Sequence, residues 1–324
     1  MKACLCKKLG QPSDLVIESL QGPVPGEGEI LVRVKACALN FFDTLIIQGK
    51  YQSKPELPFS PGAEFAGTVE SIGEGIEAVA VGDRVMGYIR WGAARELVIA
   101  TEDELIKLPD SVSFEQAAGL TVTYGTTLHA FRDRAALSEG ETVAILGASG
   151  GAGQAAVEIA LLMGAKVIAC ASSEEKLAFA RNLGAQRTVD YSKEDLKKTL
   201  KTMTNGEGVD VVYDPVGGDM AEQALRATTW KGRYLVIGFA AGQIPKIPLN
   251  VVMLKGCDVL GIFWSEAIIR DPDGHRENMT QLLSWVVEGK LKPNIHAVYP
   301  LEKIAEALSE ISERKVQGKV ILTL

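Results

Sequence analysis

The chain has 324 residues, 47% of them hydrophobic and 23% charged, with a formal net charge of −7. That length supports two domains with separate cores, and the acidic balance argues against nucleic acid or an anionic membrane surface as a main partner. No apolar run approaches the roughly 20 residues that span a bilayer, and the first residues alternate like a strand rather than a leader. The five cysteines, Cys4, Cys6, Cys37, Cys170 and Cys257, are odd in number and sit mostly in strand-like runs. Buried thiols in a reducing compartment fit this better than a disulfide framework, so a cytoplasmic protein is expected.

Residues 1 to about 120 read as β-rich. Short segments of alternating polarity at 30–36, 64–72, 84–89 and 94–99 are separated by turns such as Pro25-Gly26, Pro61-Gly62 and Val81-Gly82-Asp83. Such spacing predicts a small irregular barrel. From Phe114 the period becomes helical as far as His129, interrupted by Gly119 and Gly125.

The segment 142–173 then reads as one β-α-β unit: an apolar strand at 142–147, a glycine loop, an apolar helix at 154–163 closed by Gly164, and a second strand at 166–171. The loop is Gly147, Ala148, Ser149, Gly150, Gly151, Ala152 and Gly153. Glycines let the backbone approach a pyrophosphate, and the helix start presents free N–H groups and a positive dipole end. The spacing is weak evidence alone and strong between a buried strand and a buried helix. It predicts a dinucleotide site.

Strand and helix go on alternating: helix 174–183, strand 188–190, helix 194–202, strand 209–213, helix 220–227, strand 234–238. Repeats of this length predict a doubly wound parallel sheet with right-handed crossovers, whose ligands lie beyond the carboxyl ends of the strands. The remaining strand 257–263, helices 276–288 and 301–312 and strand 319–324 are too short for a third domain. They are expected to return to the first, giving one domain of 1–122 with 258–324 and another of 123–257. The apolar segment 247–260 is a candidate edge for pairing two copies into a homodimer.

The second strand of the unit carries no Asp or Glu at its end, where an NAD site places one for the ribose hydroxyl. Ser172 and Ser173 stand there, followed by Glu174, Glu175 and Lys176. Ser172 and Glu175 have capping-box spacing, which would turn the glutamates away. Lys176, with Ser172 or Ser173 and Tyr191, would then meet a 2′-phosphate. NADPH is the expected cofactor.

Together these features are similar to the medium-chain dehydrogenase/reductase superfamily, in its zinc-independent quinone oxidoreductase branch. The carriers are Val34 to Asp43, Leu57 to Gly67, Val81 to Val85, Ala117 to Tyr124, the Gly147 to Gly153 loop, Asp210 to Gly218 and the ending Gly318-Lys-Val-Ile-Leu. The resemblance covers essentially the whole chain. It implies a discontinuous GroES-like β-rich domain, a Rossmann domain, and a cleft between them for nicotinamide and substrate. Zinc-dependent members carry Cys near the position of Asn40 and Gly-His-Glu where this chain has Gly62-Ala63-Glu64. A tetrahedral site needs three or four converging ligands, so no metal is expected.

The resemblance further implies NADPH-dependent reduction of a quinone or an α,β-unsaturated carbonyl, with Asn40, Asp43 and Tyr51 at the acceptor. A tyrosine hydroxyl can polarise a carbonyl or protonate an enolate, although Tyr51 equally fits loop packing, and Asn40 and Asp43 equally fit turns. Asn40 is preferred over Asp43, because a carboxylate opposes reduction beside it. Thr121 and Thr123 fall near the expected nicotinamide. Phe239, Phe263 and Trp264 either line the site or pack, and Arg314 and Lys319 are further candidates for the 2′-phosphate. The competing readings are a 2-enoyl reductase and an NADPH-binding protein without enzymatic activity.

Overall fold

The computed structural model describes all residues, 1–324, and divides into two compact units, Met1–Val122 with Asp271–Leu324, and Thr123–Arg270. The first unit opens with β1 (Lys2–Leu5) and β2 (Val16–Ser19), an antiparallel pair. The ten-residue strand β3 (Ile30–Leu39) runs into the short helix α1 (Phe41–Ile46). β4 (Glu64–Ile72), β5 (Arg84–Tyr88), β6 (Leu97–Ala100) and β7 (Leu105–Lys107) follow, then α2 (Phe114–Ala118).

The second unit begins in α3 (Thr121–Leu128), whose end continues as a π-helical turn over His129–Arg134. The helical stretch 114–129 is interrupted at Gly119, as expected, which is the C-cap of α2; Gly125 lies within α3. Next come β8 (Thr142–Leu146), α4 (Gly151–Leu162), β9 (Lys166–Ala171), α5 (Glu174–Asn182), β10 (Arg187–Asp190), α6 (Leu196–Met203) and β11 (Val209–Asp214). α7 (Asp219–Arg226), β12 (Thr228–Val236), α8 (Leu249–Lys255), β13 (Asp258–Gly261) and α9 (Trp264–Arg270) complete it. The chain then returns to the first unit with α10 (Pro272–Val287), β14 (Ile295–Pro300), α11 (Ile304–Ser312) and β15 (Lys319–Thr323).

The six strands of the second unit are all parallel, in the order β10-β9-β8-β11-β12-β13. This is the Rossmann order, which reverses between β8 and β11 and opens a crevice at their carboxyl ends. β8 is a run of β-branched and aliphatic residues because helices cover both faces of such a sheet, and Val143 to Leu146 are fully buried. α4 is apolar nearly all round, with Ala155, Ala156, Val157, Ile159 and Ala160 at 0% exposure, as a helix packed on every side must be.

One expectation is corrected here. Residues 258–270, assigned by sequence to the first domain, belong to the second, because β13 pairs with β12 from Asp258 to Gly261; the return occurs at Asp271. The segment 247–260, the candidate pairing edge, combines a helix and a strand. Helix α8 occupies its first part, closed by Gly256 at φ 51°, and only β13 reaches the sheet edge.

In the first unit the sheet runs β14-β15-β3-β4-β5-β7, with β6 also paired to β3. The expected small barrel is therefore an open ladder with two ends. β3 is long enough to serve two neighbours on one edge, β6 over 30–33 and β15 over 36–39. This arrangement brings the C-terminal strand beside the end of β3, with Val320 opposite Leu39 while Glu64 of β4 lies opposite Ala38.

Candidate active site

The glycine loop combines three different spatial demands. Gly147 has φ 61°, and a Cβ there would lie 2.9 Å from Val216 Cγ2. A Cβ at Gly153 would lie 2.1 Å from the Gly147 carbonyl oxygen, a backbone atom that cannot swing away. Gly150 is different: its nearest neighbour is that same carbonyl at 3.6 Å, so the space before it is open. The helix starts three residues earlier than the sequence suggests, with Gly150 as N-cap and Gly151, Ala152 and Gly153 in its first turn. Its first internal bond is donated by Gln154 N to Gly150 O at 2.7 Å. The preceding N–H groups are the orphan donors of a twelve-residue helix, aligned with its positive dipole end. Ser149 lies buried in the same loop.

At the end of β9 the capping residue is Ser173, not Ser172. The Ser173 hydroxyl accepts from Lys176 N at 3.4 Å, which leaves the exposed Ser172 hydroxyl without a capping duty. Glu174 is turned to Arg181, while the Lys176 ammonium has no acidic partner. Tyr191 N donates to Ala171 O at 3.1 Å, setting residue 191 beside the strand end. Asp190 pairs in register with Ala171, and its N–H donates to Glu194 Oε1 at 2.9 Å. Its carboxylate is consumed by the Ser192 hydroxyl at 2.5 Å and Lys193 at 3.1 Å, and the Ser192 bond holds its pKa below the usual range. No free carboxylate stands at this edge.

The loop after β11 is braced from beneath. Buried Asp214 accepts from Val216 N at 2.7 Å and Gly217 N at 2.8 Å, and Tyr234 donates its hydroxyl to the other carboxylate oxygen. Ala240 N and Ala241 N donate to Pro215 O and Val216 O, which ties the loop after β12 to it. Phe239 packs on Gly217, 2.9 Å from where a Cβ would be. Trp264 is buried over Gly125 in the same way, whereas Phe263 is 54% exposed.

A second constellation lies in the first unit, where β3, β4 and β15 meet. The Lys319 ammonium, 2% exposed, donates to Glu64 Oε1 and Asn40 Oδ1, each at 2.7 Å. Asn40 Nδ2 donates to Glu64 Oε1 at 2.9 Å, and Val122 N donates to Glu64 Oε2 at 2.7 Å. An ammonium has only donors and a carboxylate only acceptors, so the Asn40 amide can face only one way. Its oxygen points to the cation, its nitrogen to the anion, and one N–H remains for another acceptor. Lys319, a candidate from sequence for a 2′-phosphate, instead lies buried in this cluster and donates to Asn40 and Glu64.

Asp43 lies beside it and accepts from Asn40 N at 2.8 Å and Gly62 N at 3.0 Å. Those bonds hold the turn into α1, and burial pushes its carboxyl up to about 7. At 1% exposure its carboxylate is turned inward, as the turn-holding alternative expects. Tyr51 stacks on Phe42 with ring centroids 5.4 Å apart. Its hydroxyl has no partner in the chain, and burial, then the charge of Asp43, raise its pKa. Thr121 is 1% exposed and its Oγ1 is without a partner. The residue that sequence reasoning missed is Glu64. Its signal was an ionisable residue at the head of an apolar strand, the same signal Lys319 gives at the head of β15.

Residues 26–110 match the alcohol dehydrogenase GroES-like domain family, and residues 151–288 match the zinc-binding dehydrogenase family. The chain is 39% identical over 325 residues to a quinone oxidoreductase-like protein 2 homolog of Nematostella vectensis, covering 99% of this chain and 88% of that one. It is 33% identical to a quinone oxidoreductase of Pseudomonas aeruginosa, covering 97% of this chain and 96% of the other. The solved structure of Escherichia coli quinone oxidoreductase in complex with NADPH superposes with a TM-score of 0.93 at 30% identity, over 100% of both chains.

Proposed function

Because the chain belongs to the medium-chain dehydrogenase/reductase superfamily, in its quinone oxidoreductase branch, we propose that it is an NADPH-dependent reductase of quinones or similarly activated carbonyl acceptors, working without zinc. The observation that carries this reading is the buried Asn40–Glu64–Lys319 cluster. Lys319 already neutralises Glu64 and polarises the Asn40 amide, which leaves a neutral N–H donor to meet the acceptor oxygen. A neutral donor suits an acceptor that stabilises its own developing charge. Ala63 and Asn40 stand where the resemblance puts ligands in metal-dependent members, and the cation that pairs with buried Glu64 is the Lys319 ammonium.

NADPH, when bound, supplies the hydride. The orphan N–H groups of Gly151, Ala152 and Gly153 and the open face of Gly150 suit its pyrophosphate. Lys176, Ser172 and Tyr191 suit its 2′-phosphate, since no free acid competes there and Lys176 lacks an acidic partner. Ser149 and Phe239 support the loops that hold it, and the orphan hydroxyl of Thr121 offers one more donor. Exposed Phe263 has the weakest claim. Tyr51, protonated at neutral pH, holds a proton for the reduced acceptor. The five unpaired, buried cysteines support a reducing compartment such as the cytoplasm.

The second unit exposes Leu249 (79%), Met253 (72%) and Leu254 (70%) on α8, beside the edge strand β13. An unpaired edge flanked by an apolar patch is a pairing surface, and a second copy of this chain is its proposed occupant. Sedimentation as a pure monomer at micromolar concentration overturns that.

The reaction is tested by following NADPH oxidation with 1,4-naphthoquinone and with crotonyl-CoA side by side, and by repeating the better of the two with NADH. Turnover of the quinone and a lower KM for NADPH than for NADH are expected. Turnover of crotonyl-CoA alone makes the protein a 2-enoyl reductase. Tight NADPH binding without turnover of either makes it a non-enzymatic nucleotide-binding protein.

A further inference from the structure

Arg95 is a guanidinium without a counter-charge. It stands just before β6, where alternation sends Ala94 and Val98 inward, at 0% and 3% exposure, and sets Arg95, Leu97 and Ile99 on the outer face. There they border a groove of about 180 Å³, which Pro23, Ile89, Trp91, Gly92 and Val98 also line. The Nε atom is buried and has no hydrogen-bond partner. Glu96, its neighbour in sequence, spends its carboxylate on Lys2 N at 2.7 Å. Desolvation alone lowers the pKa of Arg95; no acid raises it.

The contrast with other half-buried arginines is informative. Arg233 is gripped by both oxygens of Glu141, at 2.8 and 2.6 Å, and Arg84 donates to the carbonyls of Pro109 and Val112. A charge withdrawn from water is ordinarily paired, and Arg95 is not. Gly92 has φ 112°, and a Cβ there would lie 3.2 Å from the Arg95 Nη2 atom, so the loop keeps the approach to the guanidinium clear.

We propose that this groove binds a small monocarboxylate with a flat apolar body. A single cation calls for a monoanion. The planar fork of Arg matches the two oxygens of a carboxylate, and the indole and aliphatic walls suit a ring or short chain. The volume is below the roughly 300 Å³ at which drug-sized pockets begin, which limits the ligand to about the size of benzoate. The proposal is independent of the reductase reading.

Titration calorimetry of the full-length protein with benzoate, and separately with inorganic phosphate, tests it. One saturable benzoate site per chain is expected, weakened about tenfold or more in Arg95→Met and less in Arg95→Lys. Affinity for NADPH should not change in either variant. Benzoate should also quench tryptophan fluorescence in the wild type, and Trp91→Phe should remove that quenching, a readout that survives if Arg95→Met does not fold. Absence of saturable binding, binding unaltered in Arg95→Met, quenching unaltered in Trp91→Phe, or phosphate bound as tightly as benzoate overturns the proposal.

Discussion

In the parallel sheet the proposed ligand-facing apparatus is made by removing side chains, whereas in the mixed sheet of the first unit it is made by burying charge. Gly147, Gly150 and Gly153 lie within seven residues and act through backbone N–H groups and empty space. Asn40, Glu64 and Lys319 are brought together from three strands, and Lys319 is 255 and 279 residues away from its two partners. The first arrangement tolerates no added atoms. The second tolerates no lost partner.

The comparison breaks most visibly at Lys319. Lys319→Met leaves Glu64 buried and unpaired, and about 3–5 kcal/mol of stability should be lost in urea unfolding. The double variant Lys319→Met/Glu64→Gln should recover most of that stability but not the quinone kcat/KM, since Asn40 is then no longer oriented by charge. Full recovery of kcat/KM would reduce the cluster to a purely structural one. Next in size is Gly153→Ala, whose methyl meets a backbone carbonyl; a cost of about 1–3 kcal/mol is expected, with NADPH affinity falling in a fluorescence titration. An unchanged dissociation constant would show that the loop does not hold the cofactor.

A smaller change separates cofactors rather than regions. Lys176→Ala should weaken NADPH binding about tenfold, the loss of one charge-assisted contact, and leave NADH binding unaltered. Equal losses for both would remove Lys176 from the 2′-phosphate.

The last effect is in pH and is read as a slope. The Asp43 carboxyl is raised in the folded state, so the folded protein holds this proton more tightly than the unfolded one. Its stabilising contribution is complete below about 3.8 and declines as pH rises towards about 7. The slope is at most about 1.4 kcal/mol per pH unit, and the stability difference between wild type and Asp43→Asn should vary with pH only in that window. A difference independent of pH would mean that Asp43 is ionised throughout.

The same contrast explains how much could be read from the amino-acid order. β8, α4 and β9 were legible because strand, turn and helix signals sit side by side. The glycine loop needed only local geometry. The misplaced boundary at 258 came from treating an apolar strand by its position in the chain; pairing between β12 and β13 is a tertiary fact. Ser173 rather than Ser172 caps α5 because it directly precedes the helix start at Glu174, while β9 ends at Ala171 as its apolar run implies. Lys319 reads from sequence as no more than a candidate for the 2′-phosphate, because nothing local reveals that β15 lies against the end of β3. Residues that act through long-range pairing announce themselves only as ionisable groups in apolar surroundings.

The position of Lys319 also governs when the molecule can be assembled. The sheet holding Asn40 and Glu64 is encoded early, yet the cation that neutralises Glu64 arrives with the last strand. A chain still leaving the ribosome can complete its parallel sheet, which ends at β13, before this cluster can close. Because domains fold largely in the order in which they are made, the cofactor unit should mature first. The first unit, proposed to face the acceptor, would then stay incomplete until β15 has been made, so a nascent or truncated chain lacking that strand could gain the proposed nucleotide without being able to use it.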